Sequence, residues 1–322
     1  MGRRSRSTVH GVLVVDKPRG PTSHDVVRMV RRALRTRAVG HAGTLDPMAT
    51  GVLVLAIGDA TKLVRWLTAD DKAYTATLAL GAETDTLDAE GKVTEEMPVR
   101  GVTRETAEAA SGAFVGTYGQ FPPAYSAIRV NGERLHERAR RGEEVVVPER
   151  EVTVHSLHIL SANDSQIDFA VESAKGFYVR SLGRDLARSL GTRGHLTALR
   201  RTRSGAFGLD EAVDAGLLER AADDDAARAE LTARLVGLTD ACGAMPRVVL
   251  DAAAVKDVRH GRRVYGSDRP APGTDPVAFL DEAGALVAIG RSEADHLRVV
   301  RGFNVPERLA GPNERSQVKK EG

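Results

Sequence analysis

Asp46 is the residue whose surroundings best suit chemistry. It lies in the segment GHAGTLDPMATG at residues 40–51, which holds three glycines, one carboxylate and no lysine or arginine. Glycine allows backbone conformations and close approaches that other residues avoid, and Pro47 biases the aspartate before it toward an extended conformation. Such a loop can hold a carboxylate in place as a nucleophile. The alternative is an ordinary Asp-Pro turn, and the loop taken alone favours that alternative.

Two tyrosines are the next candidates, because the chain contains only five. Tyr74 and Tyr178 each lie close to a basic residue in the sequence. Each tyrosine on its own is better explained by packing in the core or at its rim. A role in catalysis for either tyrosine therefore needs support from the rest of the chain.

Basic residues are unevenly distributed, although the net charge is only +2. Arginine clustering is the expected footprint of a partner with a phosphate backbone. A solvated helix face explains any single cluster, but two clusters beside candidate loops favour a polyanion. The first cluster comprises Arg3, Arg4, Arg6, Lys17, Arg19, Arg28, Arg31, Arg32, Arg35 and Arg37, and the second comprises Arg180, Arg184, Arg188, Arg193, Arg200, Arg201 and Arg203.

Several other classes of protein lack their signatures here. The sequence contains no phosphate-binding loop, dinucleotide-binding fingerprint, histidine-rich metal motif, or serine or cysteine nucleophile motif. Cys242 is the only cysteine, which excludes an intrachain disulfide and a cysteine-cluster metal site. No run approaches the roughly 20 apolar residues of a membrane helix, and no apolar signal region follows the basic start. We therefore expect a cytoplasmic protein.

The apolar and turn patterns predict the elements that carry the candidates. Thr22 or Ser23 is predicted to cap a helix, the Asp46 loop leads into a buried strand, and Asn131-Gly132 indicates a hairpin. Residues 83–91 are predicted to form a surface loop. The predicted strands are 10–15, 52–57, 74–80, 151–160, 166–173 and 195–202, and the predicted helices are 22–34, 59–67, 103–112, 133–141, 175–190 and 210–240. From residue 246 onward, short strands with a helix at 252–259 and a hairpin at 281–284 predict a small second domain.

Seven segments, in order along roughly the first two thirds of the chain, resemble the TruB family of pseudouridine synthases. The Asp46 loop alone is fairly specific for that family, and the ordered set is very specific. The segments are GVLVVDKPRGPTS at 11–23, GHAGTLDPMATG at 40–51, GDATK at 58–62, DKAY at 71–74, PAYSA at 123–127, KGFYVRSL at 175–182 and LRR at 199–201.

The resemblance implies isomerisation of uridine to pseudouridine in RNA, typically uridine 55 in the T loop of tRNA. That reaction needs no cofactor, but it needs a nucleophile. By the resemblance, Asp46 is the nucleophile and Arg180 lies near it. Tyr74 stacks on the flipped uracil, and Tyr178 takes the C5 proton or positions the ring.

Further matches to the family imply contacts with RNA. His41 is expected near the flipped base, and Lys17, Lys62, Leu199 and Arg201 at the backbone or the pocket wall. Residues 83–91 and 133–150 fall where the family carries RNA-clasping insertions. The partner implied is tRNA, bound through its T arm and acceptor stem by a monomer with no obligatory protein partner and no membrane contact.

The fold implied is α+β, the pseudouridine synthase fold: a mixed, mostly antiparallel sheet with flanking helices and a central cleft, followed by a small PUA-like β-barrel. The expected domains are a disordered N-terminus at 1–9, the catalytic domain at 10–240, the PUA-like RNA-binding domain at 245–312 and a disordered tail at 313–322. No motif after residue 208 is diagnostic, so the PUA-like assignment rests on position and strand content.

Two other functions stay open from the sequence. The chain could be an RNA-binding or tRNA-folding protein without catalysis, but the intact set Asp46, Tyr74, Tyr178 and Arg180 argues against that. It could also be a guide-RNA-dependent relative that works inside a ribonucleoprotein. The compact chain without long basic tails argues against this second alternative.

Overall fold

A computed structural model describes residues 9–125, 129–130, 133–134, 147–266 and 268–303 of the chain. Within these residues a nine-stranded mixed sheet forms the centre, in the order β1-β3-β12-β4-β11-β10-β7, with β2 beside β3 and β13 beside β12. Its strands are β1 Gly11–Lys17, β2 Val39–His41, β3 Thr50–Ile57, β4 Lys72–Leu80, β7 Gly116–Gln120, β10 Arg150–Ala162, β11 Gln166–Ser173, β12 Gly194–Ser204 and β13 Phe207–Gly208. The mixed, mostly antiparallel sheet expected from the resemblance is therefore present.

Three smaller sheets and seven α-helices complete the described part of the chain. The small sheets comprise β5 Ala82–Thr84 with β6 Val93–Glu96, β8 Arg129–Val130 with β9 Glu133–Arg134, and the C-terminal set β14 Arg247–Leu250, β15 Val277–Asp281, β16 Leu286–Ser292 and β17 Leu297–Gly302. The helices are α1 Ser23–Ala33, α2 Val64–Leu67, α3 Arg104–Ser111, α4 Val179–Ser189, α5 Ala215–Asp223, α6 Asp225–Ala233 and α7 Ala252–Arg259. None of these helices is long and apolar enough to span a bilayer.

The pairing of β3 with β12 is the parallel contact of the central sheet, and it adjoins the Asp46 loop. Thr50 pairs with Arg200, and Gly51 pairs with Arg201. Gly51 has φ +98, and a Cβ atom there would lie 2.1 Å from the carbonyl oxygen of Arg201. Only glycine fits this approach, which explains why the loop motif ends in glycine.

Helix α1 begins as the sequence predicts. Thr22 is the N-cap residue: its hydroxyl accepts a hydrogen bond from the backbone N–H of Asp25, and the Asp25 carboxylate accepts from the backbone N–H of Thr22. This reciprocal pair satisfies two donors at the start of the helix. Val26, Val27 and Val30 are buried against the sheet, so the helix holds the segment before it firmly.

The two faces of the central sheet bury separate apolar clusters. Helices α1, α4, α5 and α6 contribute to one cluster, with Leu13, Leu55 and Phe169 of the sheet. The second cluster joins the other face of β1 and β3 to the C-terminal sheet, where Leu280 and Ile289 are buried with it. The C-terminal sheet is therefore packed on the central one, and its four strands stay open rather than closing into a barrel within the described residues.

Some local predictions are wrong, each for a physical reason. Residues 83–91 are not a surface loop, because backbone hydrogen bonds attach them to β12: Ala89 donates to Leu196, and Leu196 donates to Leu87. Residues Glu133–Arg134 form a strand that pairs with β8 and not the start of a helix, although the hairpin predicted there is present. The remainder of the predicted helix at 133–141 lies outside the described residues, as do residues 1–8 and 313–322.

Two predicted helices have different bounds in the structure. The helix predicted from residue 175 begins only at Val179, because Gly176 has φ +86 and the chain is extended at Tyr178. The helix predicted over 210–240 is divided into α5 and α6, because Asp224 between them is extended and caps the second helix. Both differences come from residues with non-helical backbone angles.

Candidate active site

The Asp46 loop is anchored on both sides of the aspartate. On one side, the Ser23 hydroxyl accepts from the Leu45 N–H at 2.7 Å and donates to the Leu45 carbonyl at 2.9 Å. On the other, the Pro47 carbonyl accepts from the Gly20 N–H at 2.9 Å and from Lys17 Nζ at 3.2 Å. The segment 17–23 thereby fixes the residues immediately before and after Asp46.

Lys17 is fully buried beneath this loop rather than exposed for RNA. Its ammonium group also donates to the carbonyls of Pro18 at 2.9 Å and Pro21 at 2.7 Å. Burial lowers the pKa of Lys17 to about 8 from its ordinary 10.5, and the nearby Asp46 carboxylate partly opposes that shift. In this position Lys17 supports the loop and adds positive charge below the carboxylate.

Arg201 holds the first half of the same loop. It is 1% exposed, and its Nε donates to the Val52 carbonyl at 2.6 Å. Its Nη2 lies 3.3 Å from the Gly43 carbonyl and its Nη1 lies 3.5 Å from the Thr44 carbonyl. The structure therefore places Arg201 in the wall of the site, where it supports the loop carbonyls.

Arg180 forms an ion pair with Asp46. Its Nε lies 2.9 Å from Oδ2 of Asp46, and the two side chains are 6% and 34% exposed respectively. Helix α4 positions the arginine at its second residue. A partly exposed carboxylate is thus oriented by a buried guanidinium, whose fixed planar geometry suits a carboxylate partner.

The two Nη nitrogens of Arg180 also have partners. Nη1 donates to the Thr86 carbonyl at 2.7 Å and lies 3.5 Å from Oδ2 of Asp88, and Nη2 donates to the Tyr125 carbonyl at 3.1 Å. The Asp88 side chain is 5% exposed, and its Oδ1 accepts from the Thr86 hydroxyl at 2.6 Å. One guanidinium therefore joins the Asp46 loop to segments from two other parts of the chain.

A cleft of about 1110 Å³ opens above this pair. Asp46, Arg180, Tyr74, Tyr178 and Leu199 all line it, and His41 and Arg201 do so as well. The cleft is large enough for a small-molecule-sized group such as a nucleotide base with its sugar. The structure therefore brings seven of the nine site residues predicted from the sequence to one cavity.

Different elements carry the aromatic and histidine groups of the cleft. Tyr74 lies on β4, where Arg201 of β12 is its cross-strand neighbour, and Tyr178 is the residue immediately before α4. His41 ends β2 and is half-buried; burial lowers its pKa, and the nearby Arg201 lowers it further. His41 is therefore favoured in its neutral form, which can both donate and accept a hydrogen bond.

Lys62 does not line the cleft. Its Nζ donates to Oδ2 of Asp59 at 2.9 Å and to the carbonyl of Gly302 at 3.1 Å, and it lies 5.4 Å from the ring centroid of Phe303. These contacts place it between the central sheet and the C-terminal sheet. In this structure Lys62 contributes to the attachment of the two sheets.

The arginines of the second cluster bind groups of the protein itself, and contact of this cluster with phosphate stays a prediction. Each of its seven arginines contacts a group of the protein itself, and most of the acidic partners lie far away in the sequence. Beyond Arg180 and Arg201, the pairs are Arg184–Asp185, Arg188–Glu83, Arg193–Glu95, Arg200–Asp16 and Arg203–Glu172. In the first cluster, Arg32 on α1 and Arg35 just after it similarly pair with the exposed Asp223 and Asp225.

Three residues with a role in the site were not identified from the sequence. Asp88 lies in a polar stretch whose sequence is typical of a surface loop, and its burial depends on the pairing of this stretch with β12. Lys72 lines the cleft, and burial lowers its pKa to about 8. Gln120 contacts the backbone of Tyr178. The lysine lies in the DKAY segment, which was the available signal for it.

The arrangement can support nucleophilic chemistry on a substrate held in the cleft. The Asp46 carboxylate is oriented by a buried guanidinium, and Tyr74, Tyr178 and His41 are among the residues around the same cavity. Among the residues the structure describes, no three His, Cys, Asp or Glu side chains come together in a way that could hold a metal ion. The carboxylate, the tyrosine hydroxyls and the imidazole at the cleft are groups that can act as a nucleophile, an acid or a base.

Comparisons with known proteins give a consistent result. The model of the TruB family pseudouridylate synthase N-terminal domain matches residues 31–179, and that of the tRNA pseudouridylate synthase B C-terminal domain matches residues 180–241. A protein named tRNA pseudouridine synthase B from Aromatoleum aromaticum is 45% identical over 280 residues, covering 83% of this chain and 89% of that protein. A protein of the same name from Mycobacterium bovis is 44% identical over 300 residues, covering 91% and 96%.

Solved structures are similar over nearly the whole chain. A chain in the crystal structure of a Cbf5-Nop10-Gar1 complex superposes with a TM-score of 0.73 at 26% identity, covering 91% of this chain and 85% of that one. A chain in the structure of an H/ACA RNP bound to a substrate RNA containing 2′-deoxyuridine superposes with a TM-score of 0.69 at 25% identity, covering 92% and 85%.

Proposed function

The chain belongs to the TruB family of pseudouridylate synthases, and we propose that it isomerises uridine 55 in the T loop of tRNA to pseudouridine. Relatives at 42–45% identity over most of the chain are named tRNA pseudouridine synthase B, which supports pseudouridine synthesis in tRNA. The observation that carries the proposal of an aspartate nucleophile is the Asp46–Arg180 pair facing the cleft.

The proposed reaction is an internal rearrangement of the nucleotide. The bond between C1′ and N1 breaks, the uracil turns, and a new bond forms between C1′ and C5. N1 gains a proton and C5 loses one, so atoms and electrons balance without a co-substrate. Asp46 attacks either C1′ or the uracil ring and is released when the isomerised base is complete.

The cleft residues have separate roles in this proposal. Because a T-loop uridine is stacked inside folded RNA, the nucleotide must be extruded into the cleft before it can react. Tyr74 then stacks on the uracil, a contact worth about 1–3 kcal/mol per base. Tyr178 takes the C5 proton or positions the ring. Arg180 orients the Asp46 carboxylate through the ion pair.

His41 and Leu199 complete the wall against which the flipped nucleotide rests. Both line the cleft, and Leu199 is 7% exposed. Lys17 and Arg201 support the carbonyls of the loop that presents Asp46. We propose that Lys17 and Arg201 affect RNA binding indirectly, by holding that loop in its shape.

The C-terminal sheet is proposed to contact the acceptor stem as a PUA-like module beginning near residue 245. Its edge strand β17 presents the exposed side chains of Arg298 and Arg301. Replacing both arginines by alanine is expected to weaken binding of whole tRNA and to leave binding of a T-arm minihelix unchanged. Equal losses for the two RNAs would contradict a contact with the acceptor stem.

The decisive experiment uses the purified full chain and an unmodified T-arm minihelix, with chelator and without any added RNA or protein. Pseudouridine is mapped by carbodiimide adduct formation and primer extension. We expect a stop at the T-loop uridine with the wild type and with Asp223→Asn, whose side chain is 78% exposed on α5. With Asp46→Asn the stop should disappear, and full product from that variant would sink the nucleophile assignment.

The same experiment separates the two alternative functions. Product from bare RNA excludes a requirement for a guide RNA or a partner protein, which the likeness to ribonucleoprotein subunits would otherwise suggest. Tight binding without product from the wild type would favour the RNA-binding or tRNA-folding protein. The higher identity to proteins named tRNA pseudouridine synthase B favours the stand-alone enzyme.

A further inference from the structure

The backbone of Tyr178 is held by a side chain from another part of the chain. Tyr178 has extended angles of φ −117 and ψ 108 and precedes α4, and no side chain caps that helix from this position. Its carbonyl accepts the helical hydrogen bond from Leu182, but its N–H needs a partner outside the helix. Gly176 has φ +86 and lies in open space. The backbone just before Tyr178 can therefore adopt several conformations.

Gln120 supplies that partner. Its side-chain oxygen accepts from the Tyr178 N–H at 3.0 Å, and its side-chain nitrogen donates to the Tyr178 carbonyl at 3.2 Å. The residue is 1% exposed, so its amide group makes these two hydrogen bonds where water does not compete for them. Two bonds to both main-chain groups of one residue imitate the pairing of a neighbouring antiparallel strand. They restrain the rotation of the Tyr178 backbone, and hence the direction in which the ring enters the cleft.

The anchor itself lies on a rigid element. Gln120 is the last residue of β7, and its backbone is paired with Arg150 of β10. The residues that follow are bound to the first turns of α4: the Phe121 carbonyl accepts from the Ser181 hydroxyl at 2.8 Å, and the Tyr125 carbonyl accepts from Arg180. The end of β7 therefore contacts the segment that carries both Tyr178 and Arg180.

Gln120 touches neither the cleft nor the ion pair. It does not line the cavity, and its amide nitrogen also lies 3.4 Å from the Tyr118 hydroxyl. We propose that Gln120 is a positioning residue that sets the placement of the Tyr178 ring, an inference that rests on the function proposed above. A residue that acts in this way affects the rate of the chemical step and leaves RNA binding intact.

The first test compares rates in two backgrounds. Gln120→Ala is expected to lower the single-turnover rate of pseudouridine formation by about tenfold or more, with tRNA affinity unchanged. In a Tyr178→Phe background, where the backbone contacts remain but the hydroxyl is gone, the same substitution should cost less than about threefold. Equal losses in both backgrounds, or a full rate for Gln120→Ala, would overturn the proposal.

The conservative variant and a matched control sharpen the result. Gln120→Glu keeps an acceptor for the Tyr178 N–H but places an oxygen against the Tyr178 carbonyl, so its rate should fall between those of wild type and Gln120→Ala. Gln166→Ala removes another side-chain amide of the central sheet, which donates to Asp168 at 3.2 Å. The control should retain the wild-type rate, and a rate as low as that of Gln120→Ala would overturn the assignment to Tyr178.

A second measurement does not depend on activity. With 3-fluorotyrosine incorporated at position 178, the fluorine NMR signal of the free protein should be one line in wild type and in Gln166→Ala. In Gln120→Ala the line should broaden or divide, because the ring samples several placements. An unchanged line would overturn the positioning role, whether or not the wild type makes pseudouridine; absence of product from wild type alone bears on the proposed function.

Discussion

Nε of Arg180 lies 2.9 Å from Oδ2 of Asp46, and the arginine is 6% exposed whereas the aspartate is 34% exposed. The cation is therefore fixed inside the protein while part of the carboxylate faces the cleft. A substrate can approach the free side of the carboxylate without disturbing the ion pair. This asymmetry distinguishes the pair from a structural salt bridge with both partners buried.

Arg180→Lys should abolish most activity although it keeps the charge. A single ammonium group cannot reach Asp46, the Thr86 carbonyl and the Tyr125 carbonyl together, as the guanidinium does. We expect the single-turnover rate to fall by roughly 10²-fold or more. Arg184→Lys, one turn further along α4, is the matched control and should lose little. Comparable losses for both variants would show that the effect is not specific to the ion pair.

Asp88→Asn tests the second carboxylate on Arg180. The amide is nearly isosteric and still accepts from Thr86, but it removes the negative charge that lies 3.5 Å from the guanidinium. We expect a lower rate with unchanged tRNA affinity, because Asp88 is buried and acts through Arg180. Rate and binding are measured separately in single-turnover and filter-binding assays. A variant with the wild-type rate would show that the charge of Asp88 is not needed to position Arg180.

Tyr74→Phe should retain most activity, whereas Tyr74→Ala should lose it. The ring face is the group proposed to stack on the uracil, and the stacking energy of about 1–3 kcal/mol corresponds to roughly 5–150-fold in binding of the flipped base. Product formation at several RNA concentrations distinguishes the two variants. Equal loss in both would mean that the hydroxyl group is required and that stacking is the wrong role.

Lys17 predicts a dependence of stability on pH. Burial lowers the pKa of Lys17 to about 8 in the folded protein, against 10.5 for an ordinary lysine. Between these values the unfolded chain binds the proton that the folded chain has lost, so the free energy of unfolding rises with pH. The contribution is up to about 1.4 kcal/mol per pH unit.

Urea unfolding of wild type and Lys17→Met from pH 7 to pH 10 measures this contribution. The difference in the free energy of unfolding between them should be constant below pH 8 and should then grow in favour of wild type. A difference that stays flat above pH 8 would show that Lys17 remains protonated in the folded protein.

The pairing of the second arginine cluster predicts a salt dependence. Each phosphate contact contributes about 0.7–0.9 to the slope of log affinity against log salt concentration. Arg203 pairs with Glu172. Arg203→Gln should therefore change the slope of log tRNA affinity against log salt concentration by less than about half of the value for one phosphate contact. A slope reduced by the full value for one phosphate contact would show that Arg203 leaves its ion pair to bind RNA.

Short-range signals in the sequence predicted much of the fold. The hairpin of β10 and β11, the Thr22 cap and the strand after the Asp46 loop all depend on residues close together in the chain. The family segments predicted the set of cleft residues, and seven of those nine residues line one cavity.

Long-range pairing explains what the sequence did not predict. Most residues at 83–91 are polar, which is typical of a surface loop. Asp88 is nevertheless buried, because β12, which follows more than a hundred residues later, covers it. Glu83 and Arg188 are 105 residues apart, and Asp16 and Arg200 are 184 apart. No local pattern marks such pairs, so arginines that serve the protein's own ion pairs resemble arginines that bind phosphate.

The parallel contact between Gly51 and Arg201 also has a consequence for synthesis on the ribosome. The residues that shape the Asp46 loop from β12 are made about 150 residues after the loop itself. At about 5–20 residues per second, this interval is on the order of ten seconds or more. Until β12 is added, the nascent chain carries the aspartate without its supporting arginines. A ribosome-bound chain that ends before β12 should therefore leave tRNA unmodified, so that activity begins only after this strand has been made.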